Sequence, residues 1–455
     1  MSPDVKRPFI VLLASHWLSM LGVALTTTAG FSWLFVLPQH MQGKAGNPYI
    51  GILIFLVIPG VLFTGLAMIP IGVVLARRKV LAGFSAIGDK RAAWRRIGTF
   101  LGLMTFVNLL IGSQATYRAV QHMETDQFCG QSCHVMKPQF TAWKNSPHAR
   151  VECVNCHIVP GATGWFAAKI AGTRQMAAVV LDNYHRPVEP AMQSNKLVSS
   201  VETCEQCHAR DREKGSVMKV ITSYGDEEQS KRTQTVLMMQ VGGSMTGIHG
   251  AHMGPGVEIR YAATDDKRDS IPWIEYRGRD GKTKTFVDTS AKGSLDSLAR
   301  HTMQCVDCHN RSGHPFQLPN RAVDQALEDK RLPCELPFIR KAAVAALTNS
   351  KSADEVPAKL AAFYRDQSRN VDLSAASKVL TGIYNDNVFP DLKVTWGTYA
   401  NNLGHTDSPG CFRCHDGNHT VKSGGESITQ DCTACHTMVA VDEAAPEVLK
   451  RLGMK

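Results

Sequence analysis

The sequence lacks an internal period, a protease zinc signature and a leader cleavage site, and each absence removes a class of protein. Without a repeat at fixed spacing, the 455 residues do not form a solenoid or propeller of stacked units. Without a Glu beside His249 as in HExxH, and without a third ligand, His249 and His252 do not make a zincin-type metalloprotease site. Without a small-residue cleavage site after the first apolar stretch, that stretch reads as a retained helix rather than a signal peptide. Acidic residues are also missing where basic ones gather. The segment 77–96 carries Arg77, Arg78, Lys79, Lys90, Arg91, Arg95 and Arg96 against Asp89 alone, so most of the formal net charge of +10 belongs to one short connection. Nucleic-acid binding needs a basic face on an accessible domain, and no such face is left over.

What is present first is apolar. Stretches at about 9–37, 50–76 and 97–117 are each long enough to cross roughly 30 Å of hydrocarbon as helices. The connection at 38–49 holds only Lys44, whereas 77–96 is strongly basic. The positive-inside rule therefore puts the N-terminus and the 77–96 loop in the cytoplasm and everything after about residue 117 outside.

Twelve of the thirteen cysteines fall in six clusters that each end in His. Five read CxxCH: Cys153/Cys156/His157, Cys204/Cys207/His208, Cys305/Cys308/His309, Cys411/Cys414/His415 and Cys432/Cys435/His436. This is the attachment signature of c-type haem, in which two thiols bind the porphyrin vinyl groups and the imidazole ligates iron. The first cluster, Cys129/Cys133/His134, has three residues between its cysteines, so its loop must bulge, and Gly130 is expected to supply a positive φ. A zinc ribbon would suit the spacing of Cys411/Cys414 and Cys432/Cys435, but it needs no His directly after each second Cys. Cys334 is left over and reads as a buried or free thiol. Six covalently bound haem c groups are expected, all on the outer side.

The motif histidines are separated by 23, 51, 101, 106 and 21 residues, so close pairs open and close the exported part. Alternation in Val257, Ile259 and Tyr261, then Ile271, Trp273 and Glu275 before Asp280-Gly281, predicts strands with at least one hairpin. Apolar spacing predicts short amphipathic helices near 320–330, 337–348, 353–367 and 373–385, whose plain role is packing. The expected fold is mainly α and coil: three N-terminal transmembrane helices, then an elongated multihaem cytochrome c domain with a small β-hairpin insertion. Its segments are a membrane anchor at 1–117, a first haem region at 118–210, the hairpin insertion with the fourth haem at 211–318, a helical insertion at 319–386 and a two-haem region at 387–455.

Each iron needs a second axial ligand, and His is the usual one in low-potential electron-transfer haems. The candidates are His148, His185, His249, His252, His301, His314, His405 and His419, each of which can equally be an ordinary surface or core residue. His16, inside the first apolar stretch, has no histidine at similar depth on the other two, so no haem path crosses the membrane. Arg118 and His122, one turn apart, can line an entrance near the third apolar stretch, and snorkelling to lipid phosphate is the plainer role for Arg118.

The run Phe128-Cys129 to Cys133-His134-Val135-Met136, then Ser146-Pro147-His148, then Cys153-Val154-Asn155-Cys156-His157, resembles the NapC/NirT family of membrane-anchored quinol dehydrogenases over roughly 97–210. The C-terminal run Asn387-Val388-Phe389-Pro390, Trp396-Gly397, Gly404-His405 and Gly410-Cys411-Phe412-Arg413-Cys414-His415-Asp416 is similar to the larger inner-membrane cytochromes of the ImcH type from metal-reducing bacteria. The resemblance implies that Met136 rather than His134 can ligate the first iron, that His148 is a distal ligand and that Lys169 contacts the quinol head group. The acidic residue expected nearly two turns later is Met176 here, with Asp182 further on. Its functional implication is oxidation of menaquinol, or a similar quinol, at the periplasmic face of a bacterial inner membrane. Electrons would go to a soluble periplasmic cytochrome or reductase and eventually to extracellular metal oxide. Two other readings stay open: a multihaem reductase of a small oxyanion such as nitrite at an open-coordinate haem, and a non-catalytic electron-relay anchor subunit.

Overall fold

The computed structural model describes residues 12–13, 15–40, 57–81, 90–190, 199–208, 215–367, 369, 371–421 and 425–454. The expected connections at 41–49 and 82–89, and the beginnings of the first two apolar stretches, lie outside those residues. Two compact units emerge, Met1–Phe128 and Cys129–Lys455.

The first unit contains helices Trp17–His40, Ile58–Leu81 and Lys90–Met123. Among the described residues two spans, Ile58–Arg78 and Trp94–Met123, are long and apolar enough to cross a membrane, not the three expected. The first stretch also forms a helix, Trp17–His40. The hydroxyls of Thr26 and Thr27 bond back to the carbonyls of Gly22 and Val23 at 2.8 and 2.7 Å, which satisfies them within the helix. Small residues let this helix approach the next one closely. A Cβ on Gly22 would lie 2.7 Å from the Gly65 carbonyl oxygen, and one on Gly65 would lie 2.6 Å from the Thr26 hydroxyl. That is the small-residue packing by which helices associate where no hydrophobic force drives them together.

The second unit is built around two antiparallel sheets, more extensive than the small hairpin insertion that the alternation predicts, and a cluster of four helices. Strands β1 (Val217–Tyr224), β2 (Arg232–Met239) and β8 (His436–Glu443) form the first sheet in the order β1-β2-β8. The second contains β3 (Glu258–Ala262), β4 (Trp273–Arg277), β5 (Thr283–Asp288), β6 (Arg300–Thr302) and β7 (His419–Val421), in the order β6-β3-β4-β5-β7. Tyr261, Ile274 and Phe286 face one another across β3, β4 and β5 and are buried together. Strands from beyond residue 415 complete both sheets, so the segments 211–318 and 387–455 are interleaved rather than separate bodies.

Helices Pro319–Glu328, Ile339–Asn349, Glu355–Asp366 and Ser374–Asn387 lie within two residues of their expected bounds. They pack Val323, Leu327, Leu347, Leu360 and Leu380, all essentially inaccessible, into the largest core of this unit. Leu360→Ala removes side-chain contacts there and leaves a cavity. It is expected to cost about 2–5 kcal/mol, read as a lower thermal midpoint by circular dichroism, and an unchanged midpoint would show that this cluster does not contribute to the stability of the unit.

Candidate functional site

Each CxxCH segment is wound into a tight turn. Cys153–His157 and Cys305–Cys308 are single α-turns, and Cys204–Gln206, Gly410–Arg413 and Cys432–Ala434 are 3-10 turns. The His amide donates to the carbonyl of the first Cys at 2.8 Å in His208 and His309 and at 3.0 Å in His415, so one backbone arrangement recurs at three motifs. None of the thirteen cysteines is in a disulfide, and Cys334 is an exposed free thiol rather than a buried one.

The cysteines expected to form thioethers are not equally enclosed by the protein. Cys129, Cys133, Cys153, Cys204, Cys305, Cys308, Cys414 and Cys435 are partly covered, whereas Cys207, Cys156, Cys411 and Cys432 are exposed. Cys207 is one of the exposed four. It lies one residue past the end of the turn Cys204–Gln206, and its amide donates to the Cys204 carbonyl at 3.2 Å.

The first motif differs in its turn as well as its spacing. Phe128–Ser132 forms a π-turn, whose wider pitch takes up the additional residue. Gly130 is not among the positive-φ glycines, contrary to the expectation from its spacing. Glycine is needed there for room, since a Cβ on Gly130 would fall into the ring of the buried Phe140. Phe140 in turn stacks on Trp143 at 5.5 Å between ring centres.

Five motif histidines each face one histidine from outside the motifs. Ring centres are 6.0 Å apart for His208 and His148, 6.1 Å for His157 and His314, 6.3 Å for His309 and His249, 5.9 Å for His415 and His252, and 6.2 Å for His436 and His405. Two imidazoles bound to one metal through nitrogens about 2 Å away on opposite sides have ring centres about 6 Å apart, so every pair has the separation such a metal requires.

The surroundings hold several of these rings in the orientation a ligand needs. Backbone carbonyls hydrogen-bond Nδ1 of His148 (Ser312, 3.0 Å), His252 (Ile248, 2.7 Å), His314 (Gln139, 2.9 Å) and His415 (Thr429, 2.7 Å). Those bonds fix the rings and leave Nε2 for a metal, the usual arrangement of ligating histidines. The Trp143 indole N–H donates to the carbonyls of His148 and Val151, both at 3.0 Å, and so braces the loop that carries His148. Burial lowers the pKa of His157 and His252 and brings that of His314 down to about 4, which keeps all three neutral, as metal ligation requires. Burial also pushes the Cys308 thiol up to about 11 and Cys414 to about 12.

Three distal candidates are not brought to a motif histidine. His419 is buried with Nδ1 on Asp416 at 2.8 Å and Nε2 on the Ile271 carbonyl at 2.6 Å, so both nitrogens are occupied and it is not a ligand here. His301 is held in β6 opposite Tyr261, 5.6 Å between ring centres, and the sheet register keeps it there. His185 is exposed beside Glu189 at 3.8 Å. Among the described residues no histidine ring faces His134, which is exposed; Met136 ends the 3-10 turn that follows it.

The NapC/NirT cytochrome c family model, N-terminal region, matches residues 92–237. The cytochrome c-type protein ImcH of Geobacter sulfurreducens is 34% identical over 446 residues, covering 93% of this chain and 87% of that protein. The chain belongs to the NapC/NirT cytochrome c family. Another relative, the cytochrome c-type protein NrfH of Wolinella succinogenes, is 30% identical over 112 residues, or 24% of this chain and 60% of that protein. No solved structure matches the chain.

As a cytochrome c of this family the chain carries covalently attached haem c and works in electron transfer, and its own residues fit that group. Paired thiols flank a motif imidazole whose facing imidazole stands at the right distance, and among the described residues the buried Nδ1 of His436 has no protein partner. The NapC/NirT-matched region also contains the helix Ala162–Val180, which has no buried residue and leaves Phe166, Ile170, Met176 and Val180 exposed. Lys169 lies on it with its ammonium 5.2 Å from the Trp165 ring centre. Asp182, at the end of that helix, is bonded to Arg186. Arg118 and His122 are exposed on helix Lys90–Met123, and His122 packs edge-on to Phe128 at 5.6 Å.

Sequence reasoning missed the residues that tie the fourth and fifth motifs together, Asp307, Arg413, Arg268 and Tyr261. The available signal was a charged residue between the two cysteines of each motif, Asp307 in one and Arg413 in the other.

Proposed function

We propose that this chain is a quinol dehydrogenase of the bacterial inner membrane, oxidising menaquinol or a similar quinol at the periplasmic face and delivering electrons to periplasmic acceptors. Bound haem c supplies the one-electron chemistry. In this reading six haems are attached through the twelve motif cysteines, with His157, His208, His309, His415 and His436 as proximal ligands. His314, His148, His249, His252 and His405 are their respective distal ligands, and His134 or Met136 serves the first site. The N-terminus is cytoplasmic, and the apolar helices of the first unit anchor the chain.

The observation that carries the proposal is the apolar exposure of Ala162–Val180 around Lys169. A helix that buries none of Phe166, Ile170 or Val180 suits contact with lipid and with a lipid-soluble substrate. Quinol oxidation releases two protons and two electrons, so the site needs a group that hydrogen-bonds the head-group oxygen and a route to water. Lys169 offers an ammonium donor at the edge of the exposed face, and Arg118 and His122 are the polar groups assigned to the entrance.

Anaerobic stopped-flow mixing of oxidised, detergent-purified protein with a menaquinol analogue tests this. Reduction is expected to be fast in the wild type and about tenfold slower in Lys169→Ala, the loss of one hydrogen bond to a charged donor. Full reduction by dithionite with none by quinol would sink the proposal in favour of an oxyanion reductase or a docking subunit.

A further inference from the structure

The fourth and fifth motifs are joined by a buried polar cluster that the function above does not use. Asp307, Arg413, Arg268 and Tyr261 are 3%, 9%, 7% and 1% exposed. Arg413, between Cys411 and Cys414, donates from Nε to the Gly410 carbonyl at 2.9 Å. Its Nη1 donates to the Arg268 carbonyl at 3.0 Å and its Nη2 to the Asp307 carbonyl at 2.7 Å. The last bond crosses from the fifth motif loop to the fourth. Asp307, between Cys305 and Cys308, accepts from the Tyr261 hydroxyl at 2.5 Å and from Arg268 Nη1 at 3.2 Å on one oxygen. Its other oxygen accepts from the Gln304 amide at 2.7 Å.

The charge count is uneven. Asp307 pairs with Arg268, whereas among the described residues Arg413 bonds only carbonyls and pairs with no carboxylate. The Arg413 guanidinium is therefore a positive charge held out of water on carbonyl partners, where charge interactions are screened much less than at the surface. A buried guanidinium with only carbonyl partners is costly, so its place inside an attachment loop calls for a function.

We propose that Arg413 and Asp307 are positioning residues that lock the fourth and fifth attachment loops together and set the midpoint potentials of the irons held there, Arg413 raising them and Asp307 lowering them. A fixed positive charge disfavours the ferric state, which carries one more positive charge than the ferrous, and a fixed negative charge favours it. The inference rests on the reading that these two motifs attach haem.

The test is a spectroelectrochemical titration of the full-length holoprotein, with haem content fixed beforehand by intact mass and pyridine haemochrome. Arg413→Gln is expected to move the midpoints of up to two of the six centres downward. Arg413→Lys, which keeps the charge, should restore most of that shift, and Asp307→Asn should move the same centres upward. Fully loaded Arg413→Gln and Asp307→Asn proteins with wild-type titration curves, or with shifts of the same sign, would overturn the inference while leaving haem attachment intact. Should Arg413→Gln fail to load, the Asp307→Asn shift decides alone, upward supporting the inference and zero or downward overturning it. Absence of haem from the fourth and fifth motifs in the wild type would overturn both this inference and the six-haem reading.

Discussion

Replacing His249 and His252 together by alanine is expected to convert two of the six proposed iron centres from low to high spin, with each single replacement converting one. The two histidines stand three residues apart on helix Gly247–Met253, so they emerge on nearly the same side of one turn. Their rings face His309 and His415, from motifs more than a hundred residues apart. In the proposed reading this seven-residue helix supplies the outer partner of two sites at once, and its two rings contact the fourth and the fifth motif. The cysteines expected to form thioethers are untouched, so haem content by mass should stay at the wild-type value while the low-spin electron paramagnetic resonance signal, which comes from the five facing histidine pairs, falls by about two-fifths. A double variant that keeps its full low-spin signal would show that other residues ligate these irons.

Gly130→Ala is expected to disable the first site. The new methyl group would occupy the space of the Phe140 ring, which is wedged against Trp143 and cannot swing away without opening the helix Lys137–Lys144. Overpacking of this kind costs about 1–3 kcal/mol, and the strain falls on the π-turn that accommodates the additional residue between Cys129 and Cys133. The expected readout is one haem fewer by intact mass, together with a lower thermal midpoint. Adding Phe140→Leu should recover part of both, because the smaller side chain makes room for the methyl. A Gly130→Ala protein with full haem content and an unchanged midpoint would mean that the turn relaxes freely, and the close approach would then carry no weight.

The unequal legibility of this chain in its sequence has physical causes. The helices from 319 to 387 were readable because their apolar residues recur at helical spacing and one contiguous core buries them. The sheets were underread because their partners come from distant segments: β2 pairs with β8 across about two hundred residues, and β5 with β7 across more than a hundred. Period-two alternation announces a strand without naming its neighbour. The pairing of the eight distal candidates with particular motifs stayed open in the sequence for the same reason. His419 follows His415 by four residues and is nevertheless held by Asp416 and Ile271, whereas His249 and His252, far from any motif in sequence, face two of them. Spacing was equally silent on enclosure: Cys207 and Cys414 hold the same place in identical motifs, yet one is exposed and the other partly covered. The first motif shows both sides, since its spacing required an unusual loop but not that Gly130 would yield its volume to Phe140 rather than adopt a positive φ.

By itself, then, the sequence determined the chemistry of this cytochrome: thiol pairs followed by imidazole are covalent, local instructions that need no knowledge of the fold. The apolar runs are equally local, since a helix must satisfy its own backbone to lie in hydrocarbon. Only the tertiary structure decided which imidazole faces which. Pairing two rings about 6 Å apart depends on non-local contacts that sequence separation does not encode, and the buried charge shared by Asp307, Arg268 and Arg413 exists only once two distant loops have been packed together.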